Sequence, residues 1–368
     1  MIYNKTMKVL TITGTRPELI RLSIIIEKLD ALVDHVLVYT NQNYDYNLST
    51  KFFQDLKIRK PDYYFKRGGG TFGEFFGNAV IEFENILLFE KPNKILVLGD
   101  TNSGLLSIVA EKHKIPVYHM EAGNRCYDSR LPEETNRKII DSVSKYNLPY
   151  TENSKQNLLN EGFHKNFVFK TGNPIYEVMN KYKPQIDDSI MLFEWGLQDI
   201  KTKKIKDFVL VTAHRCENVD DVDVLRNIVD ALNLISNNIE VVVSLHPRTK
   251  SKIELFSLKL GDKVTVSQPL GFFDFISLER SARCVITDSG TVQEECCILG
   301  VPALTIREST ERQETIECGS NVLCGTKTWN IVEAFNTTMK RSNIWSVPDD
   351  YQVCNVSDTV INILLGKV

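Results

Sequence analysis

Ten short runs of apolar residues, rich in Val, Ile and Leu, recur along the chain with helically spaced stretches between several of them. The first series is KVLTIT (8–13), HVLVYT (35–40), KILVLGD (94–100), IPVYHME (115–121) and FVFKTG (167–172). The second is DFVLVTAH (207–214), EVVVSLHP (240–247), KVTVSQ (263–268), CVITDSG (284–290) and PALTIR (302–307). A nearly unbroken apolar run suits a strand covered on both faces, as in a parallel sheet with crossover helices above and below. GLLSIVAEKH (104–113) and VLRNIVDALNLI (224–235) carry the 3.6-residue spacing of such helices. The pattern βαβα, met twice, predicts an α/β protein of two parallel-sheet units.

A length of 368 residues agrees, because single cores stop growing below this size. The seam is expected within 174–206, where NKYKPQIDDS and DIKTKKIKD are polar and aperiodic. The tail VSDTVINILLGKV reads as a closing helix after the loop WSVPDD. The expected domains are 1–175, joined by a C-terminal helix at 353–368, and 176–352.

A net charge of −3 provides no field for nucleic acid. No apolar run approaches the roughly 18–20 residues of a membrane span. The opening MIYNKTMKVLTITGT lacks a signal-peptide core. The eight cysteines form no C-x-x-C pair, which argues against a zinc knuckle or redox motif and for free thiols in a reducing cytoplasm.

In open α/β sheets ligands bind beyond the carboxyl ends of the strands. Here Arg16, Asp100, Glu121, His214, His246 and Ser289-Gly290-Thr291 all follow strands directly. Each has a bland explanation. An Asp after a strand can be an N-cap worth about 1 kcal/mol. Glu133 and Glu134 follow Pro132 and fall in a first helical turn, where acids suit the dipole; Glu294 and Glu295 invite the same account. A lone histidine after a strand is commonly structural. Ionisable groups on the same edge of both sheets are harder to dismiss. DSGT before a helix suits a phosphate, whose charge meets backbone N–H groups at the positive helix end. Glu295, about one turn on, could accept hydrogen bonds from ribose hydroxyls. GGGTFG (68–73) fits G-x-G-x-x-G but lacks a clear preceding strand and an acid in the ribose position, so it reads as a loop opening a helix.

GTRPE (14–18), LGDTNS (98–103), HMEAGNR (119–125), PEETNR (132–137), TAHRCEN (212–218), DSGTVQEE (288–295) and RESTERQE (307–314) occur together in one order. In that order and spacing the chain resembles the non-hydrolysing UDP-N-acetylglucosamine 2-epimerase family over roughly residues 7–345. The resemblance implies a GT-B fold, two Rossmann-like parallel-sheet domains with an interdomain cleft for a UDP-sugar. It implies inversion at C2 through loss of UDP and a glycal intermediate, with no NAD, metal or other cofactor. It makes Asp100, Glu121 and Glu133 the catalytic carboxylates, with base and acid roles open, and His214 an aid to diphosphate departure. Arg16, Arg21, Arg137, His246 and Arg312 match positions that bind phosphates or organise the acids, Ser289 and Gly290 the diphosphate loop, and Glu295 the ribose contact. Glu133 and Arg137, four apart, are expected to share a helix face, with Arg137 as the charge partner of Glu121 and Glu133.

Departures narrow the resemblance. TNQNYDY places Asn43 where many members have an allosteric His; Arg21 replaces a usual Lys and Thr291 a usual Gly, and the connection from Glu121 to PEE is short. The variant resembles the branch that makes UDP-N-acetyl-L-fucosamine from UDP-2-acetamido-2,6-dideoxy-L-talose for capsule or O-antigen, in a cytoplasmic homodimer. Interconversion of UDP-N-acetylglucosamine and UDP-N-acetylmannosamine is the alternative. A GT-B glycosyltransferase, which needs no set of three carboxylates, a hydrolysing epimerase and a nucleotide-sugar-binding regulatory module are further ones.

Overall fold

The structure is a computed structural model that describes residues 7–41, 52–65 and 71–366. Asn43 and Gly68–Gly70 lie outside the described residues. The chain forms two compact units, Met1–Met179 with Asp349–Val368, and Asn180–Pro348.

The first unit holds a six-stranded parallel sheet of β1 (Lys8–Thr13), β2 (Asp34–Tyr39), β3 (Tyr63–Tyr64), β4 (Lys94–Leu98), β5 (Val117–Met120) and β6 (Tyr146–Leu148). Its strand order is β3-β2-β1-β4-β5-β6. The second unit holds β7 (Phe208–Thr212), β8 (Glu240–Ser244), β9 (Val264–Ser267), β10 (Cys284–Thr287), β11 (Ala303–Thr305) and β12 (Asn321–Leu323) in the order β12-β11-β10-β7-β8-β9. Both are the doubly wound order, which reverses direction between β1 and β4 and between β7 and β10. At each reversal the following helices leave to opposite faces and the strand ends open a crevice.

Burial on both faces explains the unbroken apolar runs. Val209, Val211, Val241, Val243 and Ile286 face a cluster with Ile228, Leu232, Ile331 and Phe335. Their strand neighbours Leu210, Val242 and Val285 face the other way, onto Leu278, Val292 and Cys296. Each fully buried Val, Leu or Ile contributes roughly 1.5–3 kcal/mol. Two expectations need correction. FVFKTG forms no strand, only a bridge between Val168 and Asn147, whereas the short runs at β3, β6 and β12 do pair. Strands of two or three residues at a sheet edge are too short to show a period.

The chain returns to its first unit through helix Val356–Leu365, which packs against helix Arg16–Leu32. Lys94 Nζ donates to the Leu364 and Gly366 carbonyls at 2.5 and 2.7 Å, satisfying the helix end. Lys28 Nζ reaches Ser357 Oγ at 2.8 Å, and the Ser357 N–H donates to Glu177 at 2.8 Å.

Candidate active site

Parallel pairing of Leu98 with Met120 sets the ends of β4 and β5 side by side, so Asp100 and Glu121 emerge next to one another. Glu121 has φ +66°, a left-handed conformation that strains a long side chain and is found where the fold over-determines it. Its carboxylate meets buried Arg21 at 2.5 Å and accepts from Asn124 at 3.3 Å. Arg21 also lies over the Tyr150 ring, 5.6 Å from its centroid. Asp100, partly exposed, accepts from Arg137 Nε at 2.9 Å, and Asn136 holds its backbone carbonyl at 2.9 Å. Both arginines are buried, so each carboxylate has a charge-assisted pair, largely out of water at Glu121 and only in part at Asp100.

Among the described residues, Glu133 is not the expected partner of Arg137. Arg137 Nη1 donates to Glu134 at 2.7 Å, three residues earlier, while Nε takes Asp100, and Glu121 is paired with Arg21. Helix Pro132–Val143 buries Glu134, Arg137 and Asp141 and leaves Glu133 half-buried in its first turn. The i,i+3 and i,i+4 neighbours of one arginine lie on either side of it, and tertiary packing selects between them.

The loops after β1 and β4 are tied by Glu18, which sequence reasoning passed over although GTRPE contains it. One oxygen accepts from the Gly14 and Thr15 N–H groups at 2.5 and 3.1 Å, the other from Thr101 Oγ1 at 2.6 Å. Burial, with the Asp100 charge adding a little, pushes its carboxyl up to about 7 against those hydrogen bonds. The Thr15-x-x-Glu18 capping-box spacing was the available signal. Gly14 admits no side chain, since a Cβ there would lie 2.0 Å from Ser103 Oγ and 2.4 Å from Thr40 Oγ1.

Beneath Glu121 lies a second network. His119, fully buried, joins Asp141 at 2.8 Å and the Gly99 carbonyl at 2.9 Å. Arg125 donates to Asp141 at 2.7 Å and forks onto Glu161 at 2.7 and 2.6 Å. Arg125 is therefore a strut for the loop that follows β5. Asp128 and Arg130 pair locally, with Arg130 exposed.

In the second unit, His214 and Asp288 follow β7 and β10, the strands at the reversal of order. Asp288 Oδ2 accepts from the His214 and Arg215 N–H groups, both at 2.9 Å, and from Asn218 at 3.1 Å; His214 Nδ1 lies 3.2 Å from Oδ1. Burial alone would raise the Asp288 carboxyl, but the His214 imidazole and the Arg215 N–H and guanidinium outweigh it and lower it to about 2. The His246 ring stands 5.7 Å from that of His214, and its Nδ1 caps helix Pro247–Leu255 through the Arg248 N–H at 3.2 Å. Ser289 precedes helix Gly290–Leu299, and its hydroxyl meets that of Thr291 at 3.1 Å. A Cβ at Gly290 would fall 2.7 Å from Glu311 Oε1. Arg312 is buried and ion-paired with Glu294 at 2.5 Å, and it lies 3.7 Å from Glu311. Glu295 is buried on the same helix. Arg16 is half-buried, 5.5 Å over the Phe52 ring.

The lowered Asp288 value makes a stability prediction. Folded at about 2 against an ordinary 3.8, it contributes about 2 kcal/mol above pH 4, lost as pH falls toward 2. The denaturant midpoint of the wild type should exceed that of Asp288→Asn at pH 7, with the gap closing between pH 4 and 2.

Two Rossmann-like domains, one with carboxylates on its strand ends and the other with an anion-suited helix N-terminus, make this a protein of GT-B fold. The profile of the UDP-N-acetylglucosamine 2-epimerase family matches residues 27–365. A Methanocaldococcus jannaschii protein named UDP-N-acetylglucosamine 2-epimerase is 39% identical, covering 93% of this chain and 95% of its own. A Pseudomonas aeruginosa protein named UDP-2,3-diacetamido-2,3-dideoxy-D-glucuronate 2-epimerase is 38% identical over 94% and 95%. The crystal structure of the M. jannaschii UDP-GlcNAc 2-epimerase in complex with UDP-GlcNAc and UDP superposes with a TM-score of 0.90 at 38% identity, covering 98% of this chain and 99% of that one. The chain belongs to the UDP-N-acetylglucosamine 2-epimerase family, and it is an isomerase. Among the described residues no helix is long and apolar enough to cross a membrane.

Proposed function

We propose that the protein epimerises C2 of UDP-2-acetamido-2,6-dideoxy-L-talose to give UDP-N-acetyl-L-fucosamine, a precursor of capsule or O-antigen, in a cytoplasmic homodimer. The observation that carries C2 chemistry is the placement of Asp100 and Glu121 on adjacent strand ends, each on its own buried arginine. The choice of sugar rests on the short Glu121–Pro132 connection and on the variant motifs.

A carboxylate takes the C2 proton, the C1–O bond breaks with its electrons leaving on UDP, and a C1=C2 double bond forms. UDP oxygen then re-adds at C1 while a carboxylic acid delivers a proton to the other face of C2. Asp100, Glu121 and Glu133 supply these acids and bases, since two faces must be served. C2–H is a weak acid, so charge developing on UDP needs donors too. His214 and Arg16, with His246 alongside, and the N–H groups at Ser289-Gly290 fill that role, and Glu295 receives the ribose hydroxyls. Arg21 and Arg137 hold Glu121 and Asp100, and Arg312 steadies the nucleotide helix through Glu294. The reaction as written consumes no cofactor.

Incubation with the 6-deoxy-L-talo sugar nucleotide in deuterated water should give the L-fuco product with deuterium at C2 and no accumulation of UDP. Transfer to an acceptor, or release of free sugar with UDP, would overturn the reading. The relatives at 39% and 38% identity favour a second one, since their names specify other sugars with C2 epimerisation in common. If UDP-N-acetylglucosamine turns over faster than the 6-deoxy sugar, that reading replaces the first.

A further inference from the structure

Glu134, the second acid of PEETNR, is buried on helix Pro132–Val143 and accepts hydrogen bonds from two directions. From the loop that follows β5, the Cys126 N–H and thiol donate to its Oε2 at 3.1 and 3.2 Å. The Tyr127 N–H donates to Oε1 at 3.3 Å. From its own helix, Arg137 Nη1 donates to Oε2 at 2.7 Å. Lys138, exposed and 3.7 Å from Oε1, is the weakest of its partners.

Burial alone would raise the Glu134 carboxyl, but the Cys126 N–H and thiol, then Arg137 and Arg125, outweigh it and hold it below the ordinary range. The Cys126 thiol, raised first by burial, stays a neutral donor. Tyr127 has φ +56°, which strains a residue other than glycine, and its hydrogen bond to Glu134 helps to hold that turn.

The guanidinium that Glu134 holds is the one that donates through Nε to Asp100 at 2.9 Å. A guanidinium is planar and presents its donors in a rigid fork. One carboxylate on Nη1 and another on Nε therefore fix the rotation of the plane as well as its place. Of these two anchors Glu134 is the one out of water: its side chain is 4% exposed and that of Asp100 24%. Glu121 opens the loop whose Cys126 and Tyr127 Glu134 grips. One buried carboxylate thus ties the surroundings of both strand-end acids into a single frame.

We propose that Glu134 is a positioning residue for Asp100, locking the Arg137 guanidinium between the loop after β5 and the Asp100 carboxylate. The proposal rests on Asp100 being an acid or base of the C2 epimerisation. Displacing a reacting group by about 1 Å can cost about 10²-fold in rate, so a residue that touches no substrate can still govern kcat. A carboxylate that only stabilised its helix would leave kcat per folded molecule unchanged.

The test is steady-state kinetics on the full-length protein with whichever of the two UDP-sugars turns over faster, scaled to the UDP sites counted by calorimetry. Glu134→Gln, which keeps the shape and loses the charge, should lower kcat roughly 10–100-fold, with KM and UDP affinity within about twofold. Combined with Asp100→Asn it should lower kcat by less than about threefold beyond Asp100→Asn alone, because nothing is left to position. Near-normal kcat per UDP site, or losses that multiply in the double variant, would overturn the proposal. If Glu134→Gln does not fold, Glu134→Asp, which withdraws the carboxylate by one methylene, should give the same non-additive loss. Asp100→Asn alone separates the two claims. Near-normal kcat there removes the role of Asp100 on which the proposal rests; a large loss there beside a normal Glu134→Gln removes only the positioning role.

Discussion

Asp100→Asn is expected to lower kcat for C2 epimerisation by about 10²–10⁴-fold, the range of a positioned acid or base, with UDP affinity changed less than about threefold. Asn is nearly isosteric, so the Asn136 contact to the backbone at 100 persists and Arg137 keeps Glu134 as a partner. What is lost is a group able to take or give a proton beside Glu121. Steady-state kinetics with UDP calorimetry on one preparation checks this; near-normal kcat would remove Asp100 from the proton-transfer set. Solvent deuterium entering C2 without completed inversion would instead assign it to one of the two faces.

The second large effect concerns stability. Arg125→Met should cost about 3–5 kcal/mol, because it strands a buried charge rather than merely deleting a contact. Asp141 is wholly buried, and burial would raise its carboxyl; His119 and Arg125 together outweigh this and hold it below the ordinary range. Without Arg125 the carboxylate keeps, among the described residues, His119 and a 3.3 Å approach from the Gly123 N–H. Adding Asp141→Asn to Arg125→Met should therefore recover part of the loss, a coupling that a double-mutant cycle in denaturant midpoint reads directly. A loss below about 1 kcal/mol, or no recovery, would show that the charge is better solvated than its burial implies. Since His119 also holds the Gly99 carbonyl beside Asp100, kcat should fall with stability in Arg125→Met.

The two sheets were readable because burial on both faces leaves an unbroken apolar signature in most strands, such as Phe208–Thr212 and Glu240–Ser244. The edge strands Tyr63–Tyr64, Tyr146–Leu148 and Asn321–Leu323 escaped because so few residues carry no period. In the site, ionisable residues directly after strands were visible as such, and motif order tied them to a family. Glu18, His119 and Asp141 were not, since a buried polar residue is indistinguishable in sequence from an exposed one until its partners are known.

By itself, then, the sequence determined an α/β protein of two parallel-sheet units with charged residues on the ligand-facing edges, because solvent exclusion and strand ends act locally on residue type. Tertiary structure alone decided the partners. Arg137 goes to Glu134 and Asp100 rather than Glu133, and Arg21 reaches Glu121 a hundred residues away. Strand order and helix rotation set which side chains meet, and neither is encoded in spacing along one element.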